Sequence, residues 1–135
     1  MQKFIDATLK PVMIIGGVGT ALAGLYALLP RFAVEQLAEL EFDRDYTIFV
    51  QHWGVMVGLI GVFYVIAAFK ETWREPILLY GLIEKVLMVL FALMYLGEPF
   101  ASGFYAPAIM DAVISIWTLA YFASRSPQSR TAPQA

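Results

Sequence analysis

Residues 81–90 read GLIEKVLMVL, and this stretch places an acid and a base, Glu84 and Lys85, side by side in an otherwise apolar run. On membrane-insertion scales a charged residue at the centre of a helix costs ~2.5–3.5 kcal/mol, whereas each Leu, Ile, Val or Phe contributes only ~0.3–0.6 kcal/mol in favour of insertion. A helix with both charges therefore needs partner groups on other helices. Since adjacent residues point about 100° apart, at least one of the two side chains must reach across to another helix.

The composition of the whole chain indicates a membrane protein. Hydrophobic residues make up 60% of the 135 residues and the mean hydropathy is +0.70, against roughly 45–50% apolar residues in an average soluble domain. The chain has no cysteine, which excludes disulfides, thiolate metal sites and cysteine nucleophiles. The net charge of −2 argues against nucleic acid as a partner, because binding to phosphates needs a concentrated basic face.

Four long apolar segments predict the fold class, an all-α membrane protein with a bundle of four transmembrane helices. Each segment approaches the ~20 residues that cross a ~30 Å hydrocarbon core, and such unbroken runs do not fit the alternating strands of a barrel. We expect Pro11 and Pro76 to open the first and third helices, where a missing N–H costs little. The predicted helices lie at about 11–29, 47–69, 76–96 and 105–123.

These helices form a single predicted domain, 11–123, between an N-terminal tail at 1–10 and a polar C-terminal tail at 124–135 that we expect to be disordered. An alternative is that the first segment is a cleaved signal peptide, because two lysines precede it and the ALA at 21–23 resembles a cleavage site. The apolar run continues to residue 29, which favours a retained helix.

The distribution of basic residues predicts the orientation. The two tails and the connection between the second and third helices carry six basic residues, whereas the other two connections carry only Arg31 and Arg44. By the positive-inside rule both termini are cytoplasmic, in the inner (plasma) membrane of a cell. The first connection, RFAVEQLAELEFDRDY at 31–46, then faces outward with five acids. Its apolar residues recur at loosely helical spacing, which predicts a short amphipathic surface helix that either caps the bundle or docks a partner.

Small residues at four-residue steps predict close helix packing. They lie in the first and second helices, where they allow two backbones to approach. We expect packing within one bundle, with self-association as the less favoured alternative. The six residues are Gly16, Thr20, Gly24, Gly54, Gly58 and Gly61.

Partners for the two charges of the third helix can be chosen by depth. In the fourth helix Asp111 lies within the reach of the Lys85 stem, and Asp111, Ser115 and Thr118 recur at i, i+4 and i+7 along one face that must point into the bundle. We predict a pair between Lys85 and Asp111.

The second helix offers two more polar side chains at a similar depth, Gln51 and His52. We predict that Glu84 bonds to one of them. The resulting cluster in the outer half of the bundle contains His52, Glu84, Lys85 and Asp111, with Gln51 and Ser115 nearby.

Two interpretations of this cluster remain open. Buried ion pairs often fix the arrangement of helices without any chemistry. Alternatively, the polar residues line a small cavity, open to the outer face, that binds a polar head group or passes protons, because ionisable residues inside a membrane are functional candidates.

Most other chemistry is missing from the sequence. One histidine and no cysteine cannot supply a usual zinc, haem or di-iron ligand set from this chain alone, so we predict no metal site. The GGVGT at 16–20 lacks the spacing and the lysine of a phosphate loop. Although Asp111 and Ser115 share a helix face, no Ser-His-Asp arrangement is indicated, and we predict no catalytic residue.

The segment layout resembles a known group of proteins. The stretches WGVMVGLIGVFYVIAAF, GLIEKVLMVLFAL and DAVISIWTLAYF in helices two to four, with the lysine of the third and the aspartate of the fourth, are similar to small four-helix bacterial membrane proteins of the DoxX-like and related uncharacterised families. The resemblance implies a bacterial inner-membrane protein and marks Lys85 and Asp111 as positions of interest. Some such relatives are linked to membrane redox or quinone-related complexes, but this chain lacks the arginine-led, lysine-ended first helix of DoxX.

Three functions are therefore compatible with the sequence. The first is an accessory or structural membrane protein that is not an enzyme. The second is a protein that binds a small molecule or lipid, or a minor transporter, through the polar cavity. The third and least favoured is a redox subunit. The sequence indicates no particular cofactor, and its expected partners are the lipid bilayer and a membrane protein or a second copy of the chain.

Overall fold

Helices long and apolar enough to cross a membrane dominate the chain. A computed structural model describes residues 2–125, and no strand occurs in that range. The four candidate membrane spans are Lys3–Leu28, Arg44–Phe69, Glu71–Met94 and Pro99–Ser124. This architecture suggests a multi-pass membrane protein, and it confirms the predicted all-helical class with four helices long and apolar enough to span a membrane.

The spans are built from six α-helices and three tighter or wider helical turns. The α-helices are α1 Gln2–Ala21, α2 Gly24–Leu28, α3 Pro30–Phe32, α4 Thr47–Phe69, α5 Glu71–Met94 and α6 Tyr105–Ser124. A π-helical turn, Ala33–Leu37, follows α3, and 3₁₀ turns at Arg44–Tyr46 and Pro99–Phe104 precede α4 and α6. The first turn of α1, the last turn of α6 and the connection at residue 70 share one end of the bundle, which we name the terminal end. The connections at 29–46 and 95–104 form the opposite end, the loop end.

The predicted bounds hold for α4, and α6 extends one residue beyond its prediction, but α1 and α5 begin earlier than expected. Pro11 and Pro76 lie inside these helices, so the expectation that they open them is wrong. Hydropathy detects only the apolar run, whereas the polar first turns stand beyond it and are held by packing. Residues 2–10 are accordingly helical, not a free tail, and the predicted disorder of the C-terminal tail concerns residues that lie, from 126 onward, outside the described range.

The N-terminal turns of α1 belong to the apolar core of the terminal end. Ile5, Leu9 and Met13 are buried at four-residue steps, the spacing that places side chains on one helix face. Next to them the indole of Trp117 on α6 donates a hydrogen bond to the hydroxyl of Thr8, at 3.0 Å. The core continues through side chains of the other long helices, namely Ile60, Tyr64, Ala67, Ala68, Leu78, Ile114 and Tyr121.

The glycines of α4 form the closest contact between helices. A Cβ added at Gly61 would overlap the backbone nitrogen of Ala21 and the carbonyl oxygen of Gly17, and one at Gly58 would lie 3.0 Å from the nitrogen of Gly24. At Gly54 it would lie 2.6 Å from the nitrogen of Ala27. The seam therefore packs α4 against α1 and α2 within one chain, through backbone approach that only glycine permits.

The contacts of the first helix differ in part from the predicted glycine seam. A Cβ at Gly16 would meet Ile114 of α6, not α4. Gly17, which the four-residue spacing omitted, occupies the contact with Gly61, and a Cβ at Gly24 would meet no atom within 4 Å. Thr20 is buried because it serves the polar cluster described below.

The two connections of the loop end fit against each other. In the first, Ala33, Val34 and Ala38 are buried, whereas Phe32 and Leu37, expected on an apolar face, are exposed. A Cβ at Gly103 would overlap the backbone of Ala38. The π-helical turn and the second 3₁₀ turn thus form one cap over the loop end of the bundle.

The glycine seam generates a test with an internal control. Gly61→Ala places a methyl group against backbone atoms that cannot move independently of α1, so we expect the free energy of unfolding in detergent to fall by ~1–3 kcal/mol. Gly24→Ala adds the same group where it meets no atom and should change stability much less. Thermal unfolding of both variants measures the difference, and equal losses would show that the α1–α4 contact is not as close as described.

Candidate functional site

The ammonium of Lys85 is the centre of a polar cluster inside the bundle. Its residue is 1% exposed, and Nζ donates to Oδ1 of Asp111 on α6 at 2.6 Å and to Oγ1 of Thr20 on α1 at 3.0 Å. A charged group this deeply buried requires such acceptors, because an unpaired ammonium in low dielectric is strongly unfavourable. The predicted pair of Lys85 and Asp111 is present, and it joins α1, α5 and α6 at one point.

A glycine on α5 makes room for the aromatic neighbour of this lysine. Gly81 lies one turn before Lys85, and a Cβ there would overlap the ring and hydroxyl of Tyr64 from α4. With that space, the Tyr64 ring centroid lies 5.8 Å from the Lys85 ammonium, within the range of a cation–π contact. The fourth long helix therefore also touches the cluster.

Glu84 approaches the same ammonium without a hydrogen bond to it. Its Oε2 lies 3.6 Å from the Lys85 Nζ, and this buried oxygen has no hydrogen-bond partner among residues 2–125. Glu84 and Lys85 thus lie close to each other on α5, and only Lys85 forms hydrogen bonds to other helices. Formally, two carboxylates and one ammonium leave this group with an excess negative charge.

The polar stripe of α6 points into the bundle, as its spacing predicts. Asp111, Ser115 and Thr118 are all buried. The Thr118 hydroxyl donates to the carbonyl oxygen of Ile114 at 2.8 Å, a local bond that satisfies it within its own helix. The Ser115 hydroxyl has no partner within the described part of the chain.

The two residues predicted from α4 are not in the cluster. His52 is exposed, and Gln51 donates instead to the carbonyl oxygen of Ala27 at 3.0 Å. The inner face of α4 is the one that carries Gly54, and His52 stands two residues away, about 200° around the helix. The predicted bond from Glu84 to His52 or Gln51 is therefore wrong.

A cavity of about 430 Å³ opens beside the cluster, towards the loop end. We name it the floor cavity, because its polar floor consists of Thr20, Glu84, Lys85 and Asp111. The walls are aromatic, methionine and aliphatic side chains from α2, α4, α5, α6 and both connections. They include Tyr26, Trp53, Val57, Met88, Phe104 and Met110. Few polar groups on an apolar wall are the usual composition of a small-molecule site, and the volume falls within the usual range of about 300–1,000 Å³.

A second cavity of about 470 Å³, which we name the entry cavity, adjoins the first. The two share the walls formed by Tyr26, Trp53, Met88 and Phe104. The rings of Tyr26 and Trp53 meet edge to face, with centroids 5.0 Å apart. Since the entry cavity reaches exposed residues of the first connection, the two cavities lie side by side between the loop end and the polar floor.

Sequence reasoning missed the walls of this site and the role of Thr20. Thr20 was assigned to helix packing because it lies between two glycines, and spacing alone cannot distinguish a packing threonine from an acceptor. One signal was available: Gly81 and Lys85 are four residues apart and share a face, so a small residue beside the lysine marks a place where another side chain enters. The walls combine four helices and two connections, and no local pattern contains them.

Metal binding finds no support in the described residues. No group of three or more His, Cys, Asp or Glu side chains in residues 2–125 is arranged to hold an ion. The chemistry that the arrangement supports is recognition: one paired ammonium, one carboxylate oxygen without a partner, and a wall of polarizable side chains.

The comparisons with known proteins do not extend this assignment. No family model, curated protein or solved structure matches the chain. The similarity to the DoxX-like families therefore stays a prediction from the segment layout, and the function must be argued from the site itself.

The ion pair can be tested by a double-mutant cycle. Lys85→Met or Asp111→Leu alone leaves one buried charge without its partner, which typically costs ~3–5 kcal/mol, whereas the double variant removes both charges and should recover most of that loss. Thermal unfolding in detergent gives the three differences. Purely additive losses would show that the two side chains do not interact.

Proposed function

We propose that this chain is a multi-pass membrane protein that binds a small amphiphilic molecule in the floor cavity, with the polar part of the ligand at Glu84. The single observation that carries the proposal is a cavity of about 430 Å³ with a charged floor and apolar walls inside a membrane-sized bundle. A purely structural ion pair has no need of such a space beside it.

The geometry gives the ligand two separable contacts. Its polar part would meet the carboxylate of Glu84, whose side chain is 26% exposed and lines the floor cavity, and a hydrogen bond from a ligand to such a charged group contributes roughly 1.5–3 kcal/mol. Its apolar part would lie against Trp53 and Phe104, where burial of apolar surface contributes roughly 25 cal/mol per Å². Lys85 is already held by Asp111 and Thr20, so it positions the floor and needs no ligand to neutralise it.

A second candidate, an accessory or structural protein, is favoured by that same satisfaction of Lys85. If the cluster serves only to fix three helices, the cavity is incidental and the protein acts through a membrane partner. Co-purification of a stable partner in mild detergent would support this candidate, and a lone chain would count against it. The α4 glycines are buried against α1 and α2, so self-association would have to use another face.

We further propose the inner (plasma) membrane of a bacterium as the location, with the loop end on the outer side. The proposal is supported by the six-to-two split of basic residues between the two ends and by the resemblance to bacterial four-helix families. In that orientation the two cavities open away from the cytoplasm.

A space-filling substitution tests the binding proposal. Val57→Phe adds a ring at the wall of the floor cavity without changing any charged residue. Mass spectrometry of the small molecules that remain bound to the purified protein should find a species with the wild type and at least about tenfold less of it with Val57→Phe, since a blocked site loses more than 1.4 kcal/mol of binding free energy.

Val55→Phe provides the matched control, because Val55 lies on the same helix, is 46% exposed and does not line the cavity. This control should retain the species at the wild-type level. Equal retention in all three proteins, or no retained species in the wild type, would contradict a binding function for the cavity.

A further inference from the structure

Acidic residues outnumber basic ones in the lining of the two cavities. The floor cavity contains Glu84, Lys85 and Asp111, and the entry cavity contains Glu41 and Asp43. Four acids thus face a single base. Two of the three N–H groups of that base are bonded, to Asp111 at 2.6 Å and to Thr20 at 3.0 Å.

The acids lie in both cavities. Glu41 and Asp43 are exposed at the outer side of the entry cavity, and the side chain of Glu84, 26% exposed, lies at the polar floor of the floor cavity. A cavity lined by one sign of charge attracts the opposite sign and repels its own. Since the only ammonium at the floor is matched by Asp111, Glu84 supplies the excess negative charge.

The walls between these acids suit a cation with an apolar body. Tyr26, Trp53 and Phe104 present aromatic rings that attract an organic cation within about 6 Å of a ring centroid. Met88 and Met110 add flexible, polarizable surface. An inorganic cation would find too few oxygen ligands, because ions such as Ca²⁺ take six to eight of them.

Resting on the binding function proposed above, we infer that the ligand is a small organic ammonium compound with an apolar or aromatic body, its N–H group bonded to Glu84. A phospholipid head group fits poorly, because its phosphate would lie beside the carboxylate of Glu84 in the floor cavity or beside Glu41 and Asp43 in the entry cavity. Carboxylates and other organic anions are repelled for the same reason, and a neutral alcohol can use the walls but not the excess charge.

Three probes of similar size and different charge test the inference: 2-phenylethylammonium, 2-phenylethanol and phenylacetate. Binding to the protein in phosphatidylcholine nanodiscs is measured by calorimetry, with empty nanodiscs subtracted. A hydrogen bond to a charged group contributes roughly 1.5–3 kcal/mol, so the wild type should bind the ammonium at least about tenfold more tightly than the alcohol, with phenylacetate weakest.

Glu84→Gln should abolish the preference for the ammonium over the alcohol, because the amide that replaces the carboxylate carries no charge. Glu71→Gln is the matched control, because it removes a carboxylate from the same helix at an 85% exposed side chain outside both cavities, and it should keep the preference. The wild-type comparison alone remains decisive if Glu84→Gln does not fold.

Equal affinities of the wild type for the ammonium and the alcohol, a preference for phenylacetate, or no binding of the ammonium would overturn the assignment of a cationic ligand. Each of these results leaves the binding function to be judged separately by the species retained in the wild type and lost in Val57→Phe. If both proposals hold, Val57→Phe loses the retained species and the wild type prefers the ammonium to the alcohol.

Discussion

The burial of one ammonium group inside a bundle of membrane-length helices is the constraint on which the rest of this structure depends. Lys85 cannot be left unpaired there, and its two acceptors belong to different helices, Thr20 on α1 and Asp111 on α6. Rotation or sliding of either helix would break one of these bonds. Because α4 is packed against α1 at Gly61 and reaches the ammonium through Tyr64, the polar cluster and the glycine seam together define the mutual arrangement of all four spans.

The same contact divides the bundle into two unlike halves. Towards the terminal end, apolar side chains such as Met13, Leu78 and Tyr121 pack together, and the indole of Trp117 is bonded to the Thr8 hydroxyl beside them. Towards the loop end, the helices enclose cavities beneath a cap in which Ala38 meets Gly103. A closely packed half thus holds a charged floor in place under a more open half, the arrangement that a binding site requires if its polar groups are to be positioned before a ligand arrives.

Sequence reasoning reached the helices and the central pair because both follow from one-dimensional quantities. Hydropathy gives the spans, and depth along two antiparallel helices brings Lys85 beside Asp111. The sequence-based predictions were wrong where the direction of a side chain around its helix axis decides the contact. His52 was placed by depth alone, although its angle of about 200° from Gly54 already pointed it away from the packed seam. The prediction that Pro11 and Pro76 open their helices was wrong because hydropathy does not detect polar helical turns outside the apolar run. The cavity walls are built from four helices and two connections, so no single segment carries a pattern that predicts them.

The central claim is that the Lys85 ammonium and the Asp111 carboxylate are in direct contact in a lipid bilayer. Solid-state NMR can measure it by dipolar recoupling between ¹⁵N-labelled lysine Nζ and ¹³C-labelled aspartate Cγ. The account predicts strong dephasing for one lysine, as expected for an Nζ–Oδ1 distance of 2.6 Å, and its loss in Asp111→Leu. A spectrum in which no lysine is dephased by an aspartate, or in which the dephasing survives that substitution, would contradict it.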